Sequence, residues 1–127
     1  RSTASLRRAM RVLVVDDDEA LRGMVATALE LRGAEVVTAR GVKDTTALTS
    51  RFDLALVDLT LRDGRGDQLV GWLVEHGLAR HIVLMSGAPT TPAELEGVSA
   101  VLRKPFTLDD LADVVDRIVR ETKARAR

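Results

Sequence analysis

The sequence predicts an α/β domain with a five-stranded parallel sheet, doubly wound, carrying helices on both faces. Three observations carry this. Short apolar or β-branched runs at 12–15, 35–38, 54–59, 82–85 and 100–102 suit strands covered on both sides. Segments of helical period separate them, the order that crossover connections produce. At 127 residues the chain holds one core rather than two.

The elements follow in order. The first strand, VLVV, runs into Asp16, Asp17, Asp18 and Glu19, with Asp18 placed to cap a helix. In that helix Leu21, Val25, Ala28, Leu29 and Arg32 fall at helical spacing, and Gly33 stops it. A helix over 42–50 follows the second strand, and one over 67–75 follows the third, with Trp72 packing on the sheet. Between Ser86 and Val101, residues Pro89, Pro92 and Gly97 leave room for barely two turns, so the fourth helix is expected to be shortened. The last helix opens with Thr107 as N-cap and Asp109 and Asp110 in its first turn. Leu108, Leu111, Ala112, Val115, Ile118 and Val119 form its apolar stripe. His76 and His81 flank a loop without metal-site spacing and read as surface residues.

Composition narrows the function classes. No apolar run approaches the roughly 20 residues of a membrane helix, so a soluble chain without a membrane partner is expected. The absence of cysteine excludes disulfides and thiolate metal sites. The arginine-rich start, RSTASLRRAM, lacks the apolar core of a secretory signal, which points to the cytoplasm. Net charge is zero, but 18 acids against 10 bases leave −8 over residues 12–116, between basic ends. Those ends carry no aromatic platform, so direct nucleic-acid binding is not expected.

In such folds ligands sit outside the carboxyl ends of the strands. Asp16 and Asp17 follow the first strand, Asp58 lies near the end of the third, Ser86 follows the fourth and Lys104 the fifth. All five should meet at one edge. Three carboxylates there make a hard oxygen site suited to Mg²⁺, whose charge would offset their repulsion. A carboxylate beside Mg²⁺ with a hydroxyl and an ammonium in reach can receive a phosphoryl group. Asp58 would be the nucleophile, Lys104 would neutralise equatorial oxygens and Ser86 would donate a hydrogen bond to one of them. Only 3 lysines occur against 16 arginines, so a lysine directly before Pro105 looks placed.

The set VVDDDE at 14–19, LVDLTLRDGRG at 56–66, LMSG at 84–87 and LRKPF at 102–106 resembles the receiver domain of bacterial two-component response regulators and hybrid histidine kinases. The resemblance spans roughly residues 11–120. It implies a flavodoxin-like receiver fold, Asp58 as phosphoacceptor, Asp17 as a direct Mg²⁺ ligand and Asp16 as a ligand through water. It also implies the Thr60 carbonyl on the metal, Ser86 as the switch hydroxyl, Lys104 as phosphate partner and a cis Lys104–Pro105 bond. The implied role is a phosphorelay signalling domain rather than an enzyme beyond its own phosphorylation and dephosphorylation. The phosphoryl group would come from a histidine kinase or histidine phosphotransfer domain. On this reading residues 1–10 are a linker or expression remnant, 11–122 the receiver and 123–127 a basic tail, with no output domain following.

Three features depart from the family pattern. Arg62 stands where proline is usual, Val101 replaces the aromatic that accompanies the switch hydroxyl, and the 86–101 interval is short. These keep open a receiver-fold docking module with atypical output, including a homodimer through the fourth helix face. A C-terminal receiver from a hybrid sensor kinase is a second alternative. Two other sites fail on spacing: Ala20 stands where a haloacid-dehalogenase-type phosphatase needs a hydroxyl, and Leu69 where a dinucleotide fingerprint needs glycine. The Arg65-Gly66-Asp67 string is taken as chance.

Overall fold

The computed structural model describes residues 10–89 and 95–126. Its elements are β1 (Arg11–Val15), α1 (Glu19–Leu31), β2 (Glu35–Ala39), α2 (Val42–Thr46), β3 (Phe52–Asp58), β4 (Thr60–Leu61), β5 (Gly64–Arg65), α3 (Gly66–Glu75), β6 (Ala79–Ser86), β7 (Ala100–Arg103) and α4 (Leu108–Ala126). Five strands form one parallel sheet in the order β2-β1-β3-β6-β7. The strand order reverses at β1, so the crevice between the carboxyl ends of β1 and β3 is the place where such folds bind ligands.

Side chains alternate along each strand and build two cores. On one face Val12, Val14, Leu54, Leu56, Val83 and Met85 pack against Val25 and Leu29 of α1 and Leu111, Val115 and Ile118 of α4. On the other, Leu13, Val15, Ala55, Val57, Ile82 and Leu84 meet Leu69, Val70 and Leu73 of α3. Because both faces are covered, these strands read as continuous apolar runs.

Local signals set the helix ends. The Asp18 carboxylate accepts the Leu21 N–H at 3.1 Å. Thr107 and Asp110 make a reciprocal capping box, with Thr107 Oγ1 accepting the Asp110 N–H and the Asp110 carboxylate accepting the Thr107 N–H. Gly33, at φ 95°, ends the turn after α1 in a conformation that favours glycine.

The structure corrects several expectations. The helix expected over 42–50 is only Val42–Thr46: Val42 and Leu48 pack on the core, but the buried position between them is Thr45, whose hydroxyl turns back to the Gly41 carbonyl. β3 begins at Phe52 and ends on Asp58 rather than Leu59, which leaves into a β4–β5 hairpin that the sequence had not indicated. His81 is buried rather than at the surface; it lies on β6, with its ring nitrogens bonded to Ser99 and Thr122. α4 runs over Leu108–Ala126. The shortened fourth helix, and the dimer face placed on it, fall largely on 90–94, outside the described residues; of the flanking residues 87, 88 and 95 are bends and 96–97 a turn.

The hairpin tip is tied to α2. Asp63 accepts the N–H groups of Val42 (2.8 Å) and Lys43 (3.0 Å), capping that short helix from outside the segment. The Lys43 and Val42 N–H bonds hold its carboxyl below the usual 3.8. A depressed folded pKa gives stability that is present above the unfolded value and lost as pH falls through the folded one. Asp63→Ala should therefore lose acid-sensitive protection of α2, read as faster hydrogen exchange at the Val42 and Lys43 amides near neutral pH, with the difference from wild type vanishing in acid.

Candidate functional site

Four of the five strands that form the sheet deliver a polar group to the same edge. Asp16 leaves β1 fully buried, and its main chain is pinned by its N–H to the Ala39 carbonyl at 3.1 Å. One carboxylate oxygen accepts the Asp18 N–H at 2.9 Å; the other takes the Lys104 ammonium at 2.9 Å. Asp17 is half-buried, and its Oδ2 accepts the Arg62 N–H at 2.9 Å. Asp58 ends β3, 6% exposed. Its Oδ1 accepts the Thr60 N–H at 3.2 Å and lies 3.4 Å from Lys104 Nζ.

Ser86 closes β6 and is fully buried, its Oγ donating to the Ala88 carbonyl at 2.8 Å and accepting the Ala88 N–H at 3.1 Å. Lys104 follows β7; its N–H donates to the Ser86 carbonyl at 2.7 Å, and the Lys104–Pro105 bond is cis. Val101 is half-buried on β7, in register with Leu84 and packed on the α3-side core. The structure thus brings Asp16, Asp17, Asp58 and Lys104 together, sets Ser86 beside them on the neighbouring strand end and leaves Val101 in apolar packing.

Electrostatics follow from this crowding. Burial first, and then the Asp16 charge, push the Asp58 carboxyl above 3.8; Lys104 and the Thr60 N–H pull it down without cancelling. Burial alone would depress Lys104, yet its hydrogen bond and charge contact with Asp16, followed by Asp58, raise it above 10.5. Among the described residues, Asp16, Asp17 and Asp58 can each offer an oxygen, all within 4.8 Å of one another. Lys104 is the half-buried cation set between Asp16 and Asp58, while the Arg62 guanidinium, 3.7 Å from Asp17, is 88% exposed and screened by water, so the three clustered carboxylates are only partly offset. A hard divalent cation with oxygen ligands fits that donor set and that charge.

One contributor was not singled out from the sequence. A Cβ on Gly66, the first residue of α3, would stand 2.1 Å from the Asp58 carbonyl oxygen. That helix therefore approaches the Asp58 backbone only because residue 66 has no side chain, a contact between residues eight apart that no pattern announces. Gly66→Ala should cost about 1–3 kcal/mol by overpacking, read by urea unfolding, and should shift the Asp58 amide resonance.

Comparison with known proteins identifies the family. The response regulator receiver domain family matches residues 12–116. The chain is 29% identical to the response regulator protein PmrA of Pseudomonas aeruginosa, covering 92% of this chain and 56% of that protein. It is 35% identical to the KDP operon transcriptional regulatory protein KdpE of Escherichia coli, over 79% of this chain and 47% of the relative. It thus spans about half the length of the curated relatives it matches. A CheY-like receiver domain protein from Methanospirillum hungatei superposes with a TM-score of 0.80 at 26% identity, covering 92% of this chain and 98% of that one.

Proposed function

Because the chain belongs to the response regulator receiver domain family, we propose that it is the phosphoacceptor of a two-component phosphorelay, with Asp58 as the phosphorylated residue. Receiver domains of this family interact with histidine kinases or phosphotransfer proteins, and a phosphohistidine of such a partner is the donor we assign. The observation that carries the reading is the position of Lys104 Nζ, 2.9 Å from Asp16 and 3.4 Å from Asp58. A cation is held against the nucleophile where three strand ends converge.

Asp58 Oδ1 is engaged by Thr60 and Lys104, so Oδ2 is the oxygen assigned to attack phosphorus in line. The P–O bond forms as the P–N bond to the donor imidazole breaks, and that electron pair leaves with the ring. Lys104 turns an N–H from the carboxylate toward the incoming phosphoryl oxygens. Asp16, Asp17 and Asp58, with the Thr60 carbonyl, are the groups that would hold Mg²⁺, which supplies charge neutralisation to a transferring phosphoryl group.

The Ser86 hydroxyl donates to its own loop at Ala88. Redirecting that proton to a phosphoryl oxygen releases the Ala88 carbonyl, and this exchange is the switch we assign. Val101 supplies no aromatic ring to follow it, so the 86–88 loop itself is the expected output. The test is a titration of the ¹⁵N-labelled chain with beryllofluoride, a phosphoryl mimic, in Mg²⁺. Shifts at the Ser86, Ala88 and Lys104 amides are expected, and an unchanged spectrum would contradict the reading.

A further inference from the structure

We propose that Arg62 is a built-in counter-charge that weakens Mg²⁺ binding at Asp17, an inference that rests on the metal-site reading above. Asp17 Oδ2 receives two contacts from this one residue: the Arg62 main-chain N–H at 2.9 Å, and the guanidinium Nε at 3.7 Å. The two act in opposite senses. The N–H orients the carboxylate and keeps its charge, whereas the guanidinium offers the same oxygen a competing cation.

The backbone keeps Arg62 there. Arg62 and Asp63 form the two-residue turn of the β4–β5 hairpin, whose register pairs Thr60 with Arg65 and Leu61 with Gly64. Asp63 fastens that turn to the Val42 and Lys43 N–H groups and lies against Gly41, where a Cβ would stand 2.3 Å from Asp63 Oδ1. The tip is thereby held beside Asp17, and the two share a cleft. Arg40 lines the same cleft but pairs with Asp44 at 3.5 Å, so Arg62 is the arginine placed on Asp17.

The Arg62 side chain is 88% exposed and that of Asp17 23%, so water and salt screen the contact and its effect is modest. The test measures Mg²⁺ affinity by calorimetry on the full chain, without phosphodonor, for wild type and three variants. At low ionic strength Arg62→Lys should bind Mg²⁺ as wild type does. Arg62→Ala, which keeps the N–H and loses the charge, should bind about three- to tenfold more tightly, and Arg62→Glu more tightly still. In high salt the spread should narrow to about twofold or less. Binding by wild type with no gain in Arg62→Ala at low salt would overturn the inference and leave the metal site standing. No binding by wild type or any variant would overturn the metal-site reading and this inference with it.

Discussion

Asp58→Asn is expected to melt at a higher temperature than the wild-type chain in metal-free buffer at pH 7, and to accept no phosphoryl group. Asp58 is a carboxylate pushed above 3.8 by burial and by Asp16, so its ionised form opposes folding. The sign follows from linkage: with the folded pKa above the unfolded one, stability is fully present below about 3.8 and is lost as pH rises through the folded value. A neutral isostere removes that loss. Calorimetric melts from pH 7 downward should show the variant's advantage shrinking as Asp58 in the wild type becomes protonated. Mg²⁺ should raise the wild-type melting temperature more than that of Asp58→Asn, since the variant lacks one of three carboxylates. A variant less stable than wild type at every pH would contradict this account of the site as charge stored against folding.

Lys104→Met should be the most destabilising change at the site, by about 2–3 kcal/mol without metal, because it strands the Asp16 carboxylate. Asp16 is fully buried, and Lys104 pairs with its carboxylate across 88 residues of sequence. The Lys104 side chain keeps 25% of its surface exposed, which sets the expectation below the ~3–5 kcal/mol of a fully enclosed pair. Its pKa is raised, so the stability it contributes is complete below 10.5 and lost as pH climbs through the folded value. Urea unfolding of Lys104→Met, Asp16→Asn and the double variant separates the pair from its parts. Asp16→Asn should recover most of the loss in the Lys104→Met background; additive losses would show that the ammonium and carboxylate stand together without supporting each other.

The strand ends were legible because the five apolar runs stop where polar groups begin. Asp16 follows β1, Asp58 terminates β3, Ser86 terminates β6 and Lys104 follows β7, so a parallel topology alone sends them to one edge. The Asp18 and Thr107 caps were legible because their bonds reach only three residues ahead. Elements of two residues are different: β4 and β5 are too short to show a period, and their turn contains no positive-φ residue of the kind that marks primed hairpins. The burial of His81 depends on Thr122, 41 residues away on another element. The need for glycine at position 66 comes from a tertiary approach to the Asp58 carbonyl. Local rules reach what lies within a turn or follows from strand order; these three features depend on neither.

Intact mass of the wild-type chain after incubation with acetyl phosphate, with and without Mg²⁺, tests the central claim most directly, with peptide mapping to locate the adduct. The account predicts a single added phosphoryl group that requires Mg²⁺, lies on Asp58 and is absent from Asp58→Asn. An unmodified chain in Mg²⁺, or an adduct that persists in Asp58→Asn, would contradict it.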